Sequence, residues 1–193
     1  DQWGVMHNGK TGYKHAINTV KYLEDKNKKL FIICNSSKRK KSSEERLPKL
    51  GFNKNSFINV LTSGEMIWST LHQKYFDISI KKKCFHIYDN EKEDGLEFRE
   101  GLNLTFTENI EESELILACT PFPNMKPIDY VPILDKAIES KLIMYCANPD
   151  FETVESNSNK NVFCMGAIAE IYKKMGGNVI IKGKPDVSIY TET

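Results

Sequence analysis

The pattern of apolar and polar positions predicts helices and strands in alternation along the first part of the chain. An amphipathic stretch at residues 15–26 has its apolar side chains near helical spacing and predicts a helix. The unbroken apolar run at residues 30–34 predicts a buried parallel strand with a loop at its carboxyl end. Next, the pattern predicts a helix that begins near Ser42, and then a strand followed by a helix capped at Thr62 or Ser63.

A second series of elements follows. Strands are predicted at residues 84–88, 101–107, 114–120, 141–150 and 178–184, and helices at residues 129–140 and 165–177. Residues 152–163 have the composition of a loop. Strands that alternate with helices predict an α/β architecture with parallel sheets. We interpret residues 81–177 as a module inserted into a core that residues 1–80 and 178–193 form.

Composition argues against several classes of protein. The chain has 193 residues and a formal net charge of +1, so no bulk attraction to nucleic acid or to an anionic membrane is expected. Its five cysteines occur singly, without a Cys-x-x-Cys pair, which argues against structural zinc and a disulfide framework. Their odd number is typical of a reducing compartment, and we expect a cytoplasmic location. The basic run at residues 38–41 is interpreted as a solvated face, and a homodimer is compatible with the composition.

Residues 4–11, with the sequence GVMHNGKT, satisfy the phosphate-loop pattern of nucleotide-binding proteins. A working phosphate loop needs an apolar strand directly before it and a helix that starts at its lysine. Only three residues precede Gly4 in this sequence, and Gly12 disfavours a helix start so early. A phosphate-loop nucleotidase is therefore a weaker hypothesis for this chain than the two that follow, an active phosphatase and a catalytically impaired relative of one.

The first nine residues, DQWGVMHNG, resemble the first motif of the haloacid dehalogenase (HAD) superfamily, D-x-D-G-[TV], with tryptophan in place of the second aspartate. The form D-x-W-G-V-x-H-x-G resembles one branch of its class IIA hydrolases, which include NagD-like and 4-nitrophenylphosphatase-like enzymes. Further segments follow in the family's order. FIICNSS at residues 31–37 is similar to the family's second motif, and GKPDVSIY at residues 183–190 is similar to its third motif. Between them, NPD at residues 148–150 is similar to a segment of the family's cap.

This resemblance implies both a fold and an activity. The fold is a Rossmann-like core at residues 1–80 and 178–193, with an α/β cap of the C2 type inserted at residues 81–177. The strand before Asp1 and the family's fourth motif, an acidic pair that completes the metal site, are not in this sequence. We therefore expect a core that is incomplete at both ends. The implied activity is Mg²⁺-dependent hydrolysis of a small phosphorylated metabolite, or of an aryl phosphate in vitro, through an aspartyl-phosphate intermediate.

The resemblance also implies roles for individual residues. Asp1 would be the nucleophile and a ligand of Mg²⁺, and Lys184 would hold both Asp1 and the transferring phosphoryl group. The backbone carbonyl of Trp3 would be a second ligand of Mg²⁺. The remaining implied contacts are those of the phosphate with Cys34, Asn35, Ser36 and Lys184, and those of the substrate with the cap residues Asn148 and Asp150.

Two departures from the family pattern bear on this activity. Trp3 stands where the family has an aspartate that protonates the leaving group, and general acid–base catalysis typically contributes about 10²–10⁴-fold. His7 is the nearest ionisable replacement, although we favour a histidine that is hydrogen-bonded within the following turn. Cys34 stands where a hydroxyl normally binds phosphate, and a thiol is a weaker donor. The alternative to an active phosphatase is therefore a catalytically impaired relative that serves as a binding or regulatory protein.

Overall fold

Helices and strands alternate in the computed structural model, which describes residues 1–91, 94–154 and 161–191. The helices are α1 (Lys14–Asp25), α2 (Lys40–Arg46), α3 (Ser63–Tyr75), α4 (Asp94–Glu97), α5 (Val131–Glu139), α6 (Met165–Lys174) and α7 (Ser188–Thr191). The strands are β1 (Leu30–Cys34), β2 (Phe57–Thr62), β3 (Lys82–Ile87), β4 (Leu104–Thr107), β5 (Leu115–Ala118), β6 (Ile143–Cys146), β7 (Glu152–Val154), β8 (Asn161–Phe163) and β9 (Asn178–Ile181). The order of the longer elements confirms the prediction from hydrophobic periodicity.

The described strands form three sheets. Strands β1 and β2 pair in parallel, and β7 and β8 form a short antiparallel pair. The largest sheet has the order β4-β3-β5-β6-β9, and every neighbouring pair in it is parallel. This arrangement confirms the predicted α/β class with parallel sheets. Because parallel strands end at the same edge of a sheet, the segments that follow β3, β4, β5, β6 and β9 share one edge.

The last strand differs from the expectation that residues 178–193 return to the core. Strand β9 instead extends the five-stranded sheet, with Asn178 opposite Ile143 and Ile181 opposite Cys146 of β6. Only residues 175–177 connect α6 to β9. A connection this short leaves the strand beside the sheet that α6 covers. The sheet of the inserted region therefore includes β9, while the boundary between core and cap stays a prediction.

Residues 152–163, which have the composition of a loop, form strands at both ends. Strands β7 and β8 pair there, and residues 155–160 between them lie outside the described part of the chain. The β-branched and aromatic side chains of Thr153, Val162 and Phe163 favour extended structure. Phe163 also packs against the apolar layer of the five-stranded sheet. The prediction of a loop was therefore wrong for the described ends of this segment.

The five-stranded sheet has an apolar layer on each face. Successive residues of β5 alternate between the layers, with Leu115 and Leu117 on one face and Ile116 and Ala118 on the other. Helices α5 and α6 cover one face, and α3 covers the other. Burial on both faces explains why these strands are unbroken apolar runs in the sequence. In the described part of the chain, no helix is both long and apolar enough to cross a membrane.

The basic run at residues 38–41 is only partly a solvated face. The Arg39 guanidinium donates from Nε and Nη2 to the Glu65 carboxylate at 2.8 and 3.2 Å, and its carbon lies 3.7 Å from the centre of the Trp68 ring. The Lys40 backbone N–H donates to Glu65 Oε2 at 2.8 Å. This bond satisfies an amide group at the N-terminus of α2. Helix α2 therefore begins two residues before its predicted start.

Candidate active site

Asp1 and Lys184 lie side by side, although they stand near opposite ends of the sequence. Lys184 Nζ is 3.1 Å from Asp1 Oδ2, and the two side chains are 25% and 43% exposed. Lys184 follows β9, and its ammonium group reaches across to the first residues of the chain. The structure thus brings together the two residues for which the resemblance implies catalytic roles. The roles themselves stay predictions.

The second oxygen of the Asp1 carboxylate faces the end of β1. Asp1 Oδ1 accepts a hydrogen bond from the Gln2 backbone N–H at 3.0 Å, and the Cys34 thiol donates to the same oxygen at 3.4 Å. Cys34 is the last residue of β1 and is buried. A thiol is a weak donor. In this position Cys34 helps to orient the Asp1 carboxylate.

The Asn35 side chain joins three parts of the chain. Its Nδ2 donates to Asp150 Oδ1 at 2.8 Å and to the Lys184 carbonyl at 3.0 Å. Its Oδ1 accepts from the Lys184 backbone N–H at 2.7 Å and from the Ser63 hydroxyl at 3.2 Å. Both N–H donors of the amide are therefore engaged within the protein. The Asn35 side chain thus holds the Lys184 segment against the end of β1, while the phosphate contact that the resemblance implies for Asn35 stays a prediction.

Ser36 of the second motif has a hydroxyl group that can still contact a phosphate. Its Oγ accepts a hydrogen bond from the Lys38 backbone N–H at 3.2 Å, and its carbonyl accepts from the Gly64 N–H at 2.9 Å. These bonds fix the loop after β1 and leave the hydroxyl hydrogen as a donor. Ser36 also lines the cleft at Asp1. Its placement is compatible with the implied phosphate contact.

Gly183 allows the Lys184 segment to approach this loop. Its φ angle is +125°, a conformation that side chains with a Cβ rarely adopt. A Cβ atom at this position would lie 2.0 Å from Ser63 Oγ and 2.7 Å from Asn35 Oδ1. The glycine of the third motif is therefore needed for close packing as well as for its backbone conformation.

Asp1 lines a cleft of about 280 Å³. Trp3, Ser36, Asn148 and Asp150 also line it. Asn148 Oδ1 accepts a hydrogen bond from the Asp150 backbone N–H at 2.9 Å, which is ordinary turn chemistry. These two residues therefore form a turn and also border the cleft. Their contact with a substrate stays a prediction.

Trp3 packs against the turn that follows it. A Cβ atom at Gly9 would lie 2.4 Å from the indole ring, so the ring occupies the space that a side chain there would need. The His7 ring lies edge-on to the indole, with 5.8 Å between ring centres. Trp3 thus shapes one wall of the cleft, as expected of a packing residue.

His7 is a buried member of this turn. Its Nδ1 accepts a hydrogen bond from the Gly9 backbone N–H at 3.0 Å. Burial, and secondarily the charge of Arg46, lower the pKa of His7 below its usual value. The imidazole is therefore neutral near pH 7 and engaged within the turn. This confirms the favoured interpretation of His7 and makes it a poor replacement for the missing general acid.

The geometry of residues 8–14 contradicts the phosphate-loop hypothesis. Asn8 Oδ1 accepts from the backbone N–H groups of Lys10 and Thr11 at 3.0 and 2.9 Å. These amides, which would cradle a phosphate in such a loop, are thus used by a local turn. Helix α1 begins at Lys14 rather than at Lys10.

Arg46 is a residue that sequence reasoning missed. It donates from Nη2 to the Gly9 carbonyl, and it lines a smaller cavity of about 120 Å³ with Gln2 and His7. Within the described residues, Gln2 Nε2 and His7 Nε2 are buried without a hydrogen-bond partner. Such donors ordinarily face water or an anion. Only tertiary packing brings α2 against this turn, so no local pattern predicts the contact.

The described residues supply part of a metal site. Residues 1–91, 94–154 and 161–191 contain no group of three or more His, Cys, Asp or Glu side chains that could hold a metal ion. They do supply the Asp1 carboxylate and, two residues later, the backbone carbonyl of Trp3. Mg²⁺ commonly keeps several waters and binds through one or two carboxylates together with substrate phosphates. The Asp1 carboxylate therefore fits as one ligand of Mg²⁺.

The fold is similar to those of several solved structures. A hydrolase of the haloacid dehalogenase-like family from Brucella suis 1330 has a TM-score of 0.85 and 27% identity; the match covers 100% of this chain and 67% of that one. Glycerol phosphate phosphatase from Mycobacterium tuberculosis, in complex with magnesium, has a TM-score of 0.68 and 15% identity; the match covers 100% of this chain and 56% of that one. A thermostable NPPase from Geobacillus stearothermophilus has a TM-score of 0.65 and 15% identity; the match covers 95% of this chain and 70% of that one. At 15% identity the similarity concerns the fold alone.

Sequence comparison identifies the family. No curated protein sequence matches this chain at a significant level. A sequence profile described as haloacid dehalogenase-like hydrolase matches residues 1–99, just over half of the 193 residues. The matched part includes Asp1, β1 and β2, and Lys184 packs against it from outside. The chain therefore belongs to the haloacid dehalogenase-like hydrolase family.

Proposed function

We propose that this protein hydrolyses the phosphate monoester of a small metabolite, with the Asp1 carboxylate as the nucleophile. The observation that carries the proposal is the pair of Asp1 and Lys184, which lie 3.1 Å apart, with Asp1 in the wall of a cleft. The relative of similar fold from Mycobacterium tuberculosis is a glycerol phosphate phosphatase, which supports a phosphate monoester as the substrate class.

The first step is the attack of an Asp1 carboxylate oxygen on phosphorus. A bond forms between that oxygen and phosphorus, the ester P–O bond breaks, and the leaving group departs with the electron pair of that bond. The Gln2 N–H and the Cys34 thiol hold Oδ1, which orients the carboxylate. The Lys184 ammonium group would stabilise the negative charge of the transferring phosphoryl group. Water then hydrolyses the aspartyl phosphate, which releases phosphate and restores Asp1.

A divalent cation would assist this reaction. The magnesium complex of the Mycobacterium tuberculosis relative supports this expectation. Asp1 and the Trp3 carbonyl would hold Mg²⁺, and the ion would offset the negative charge of the phosphate as the carboxylate approaches.

The residues around the leaving group favour phosphates of acidic alcohols. The Trp3 indole cannot donate a proton at neutral pH, and His7 Nδ1 is engaged with the Gly9 N–H. Neither side chain therefore protonates an alkoxide as the P–O bond breaks, which forfeits about 10²–10⁴-fold for alkyl phosphates. An aryl phosphate loses less, because a phenolate leaves without protonation.

The lack of a proton donor at Trp3 and His7 also favours a second function. With Trp3 in the place of the acid and a neutral, hydrogen-bonded His7, the protein would retain phosphate binding without efficient turnover. It would then act as a binding or regulatory protein. Measurement of turnover distinguishes this function from the first.

The test compares variants of the full-length protein with 4-nitrophenyl phosphate and Mg²⁺. Asp1→Asn removes the nucleophile, and we expect hydrolysis to fall to the rate without enzyme. Lys10→Ala is the matched control, because it changes the lysine of the phosphate-loop pattern, and we expect it to keep full activity. Equal rates for the wild-type protein and Asp1→Asn would overturn the phosphatase. Phosphate binding without turnover, measured by calorimetry, would support the second function instead.

A further inference from the structure

A second pocket lies at the carboxyl edge of the five-stranded sheet, apart from Asp1. Its volume is about 420 Å³, a size typical of small-molecule sites. Four aromatic side chains line it: Phe85, Tyr88, Phe106 and Phe122. It shares no lining residue with the cleft at Asp1. We call it the Arg99 pocket, after the cation in its wall.

Arg99 carries an unmatched charge in this aromatic setting. Its guanidinium carbon lies 4.5 Å from the centre of the Phe106 ring and 5.0 Å from that of the Tyr88 ring. Its Nε donates to His86 Nδ1 at 3.1 Å. In the part of the chain that the structure describes, no carboxylate lies within ion-pair distance of Arg99, and neither Nη group has a hydrogen-bond partner.

His86 is a neutral hydrogen-bond partner of Arg99. The imidazole is buried, and it stacks on the Tyr88 ring with 4.5 Å between ring centres. Burial, and secondarily the charge of Arg99, lower the pKa of His86 to about 3. The ring is therefore neutral, and its Nδ1 accepts the bond from Arg99. This bond fixes the guanidinium and leaves both Nη groups for a ligand.

The topology of the sheet favours a ligand at this place. The chain passes from β3 to β4 on one side, and then crosses to β5 on the other side of β3. The segments after β3 and β5 therefore diverge at their carboxyl ends. In open α/β sheets, such a switch point forms the crevice that binds ligands. The pocket draws on both segments, with Tyr88 from the first and Phe122 from the second.

We propose that the Arg99 pocket binds a small carboxylate that carries a planar apolar ring. The carboxylate would bond to the two Nη groups in the bidentate geometry that a guanidinium offers. The ring would pack among the four aromatic side chains. Glu108 also lines the pocket, and its charge disfavours ligands with a second negative charge, such as a phosphate dianion. The ligand class is therefore a monoanion.

Calorimetric titration of the full-length protein with benzoate tests this proposal. Benzamide has the same ring without the charge, and acetate has the charge without the ring. We expect benzoate to bind about tenfold or more tightly than either, because each lacks one of the two contacts. Benzoate that binds no more tightly than benzamide and acetate would overturn the proposal.

Variants assign the binding to this pocket. Arg99→Gln should weaken benzoate binding about tenfold or more, because it removes a charged hydrogen-bond donor. Lys21→Gln makes the same change of charge on the exposed surface of α1 and should leave binding unchanged. Asp1→Asn should also leave benzoate binding unchanged, because Asp1 lies in the other cleft. The benzoate titration can therefore fail or succeed independently of the test of the proposed phosphatase.

A third variant keeps the proposal testable if Arg99→Gln does not fold. Glu108→Gln changes an exposed side chain and removes the negative charge from the pocket. We expect benzoate to bind about threefold more tightly to it, since like charges repel. Unchanged or weaker binding to Glu108→Gln, or benzoate affinity that is lost in Asp1→Asn, would overturn the assignment to this pocket.

Discussion

Two cationic side chains stand beside the same edge of the five-stranded sheet, and their surroundings differ. Lys184 pairs with the Asp1 carboxylate at 3.1 Å. Arg99 lies within 5.0 Å of the centres of two aromatic rings and bonds to a neutral histidine, with no carboxylate partner among the described residues. A cation that is matched inside the protein can orient the group it pairs with. A cation that is unmatched and held in an aromatic pocket leaves the counter-charge to a ligand.

The two sites also differ in how they are held together. The cleft depends on hydrogen bonds between distant segments, and most of these bonds pass through the Asn35 amide. The Arg99 pocket depends on ring packing within one sheet and its loops. A change in one site should therefore leave the other intact. The predictions below use each site as the control for the other.

The largest expected effect is that of Lys184→Met on turnover. Loss of the ammonium group removes a preorganised charge from the phosphoryl group, and such losses reduce kcat by about 10²–10³-fold. The measurement is hydrolysis of 4-nitrophenyl phosphate by the full-length protein. Lys182→Met is the matched control, two residues away on the same segment, and it should keep its activity. Benzoate binding should persist in both variants; turnover unaffected by Lys184→Met would remove the lysine from the mechanism.

Gly183→Ala should destabilise the cleft through a steric clash and backbone strain. The added Cβ would meet Ser63 Oγ at 2.0 Å and Asn35 Oδ1 at 2.7 Å, in a backbone conformation with a φ angle of +125°. We expect the free energy of unfolding to fall by about 3 kcal/mol, in the range of overpacking combined with backbone strain. Urea denaturation measures this change.

Gly176→Ala is the control that separates the clash from the backbone strain. Gly176 has a φ angle of +96°, and a Cβ there would meet no described atom within 4 Å. We expect this variant to lose only about 1 kcal/mol, the cost of a left-handed conformation for alanine. Equal losses for the two variants would show that the close approach to Asn35 contributes nothing.

The sequence predicts much of this fold because the signals for it are local. Hydrophobic periodicity is read over a few residues, and it places β1 and α1 close to their observed bounds. The cap of α3 is equally local, since Thr62 accepts a hydrogen bond from the Glu65 N–H three residues later. The pairing of Asp1 with Lys184 follows from motifs that stand far apart, and only the resemblance to a family predicts it.

Long-range packing explains what the sequence does not predict. The sheet that β9 joins depends on where α6 packs, and the apolar and polar pattern around that strand does not encode this position. The Asn35 network depends on three segments that meet only in the folded chain. The Arg99 pocket likewise combines β3, β4 and the loop after β5. In the sequence, its arginine is one charged residue among many.

The smallest expected effect concerns His86 and the pH dependence of stability. Its pKa is about 3 in the folded protein, whereas an unfolded histidine has a pKa of about 6.5. Below about pH 6.5 the unfolded chain therefore binds a proton that the folded protein does not, so stability is complete above that pH and falls as the pH decreases. Between about pH 7 and about pH 5.5 this histidine should account for a loss of about 1 kcal/mol.

His86→Gln tests this account, because glutamine can accept the bond from Arg99 and does not titrate. The measurement is urea denaturation of both proteins at the two pH values. Arg99, Cys119 and Tyr88 face the imidazole and are present in both, and His7 contributes equally to each curve. The variant should therefore lose less stability than the wild-type protein over this range. An identical pH dependence would mean that His86 is accessible to protons, and the Arg99 pocket would then carry a second positive charge in acid.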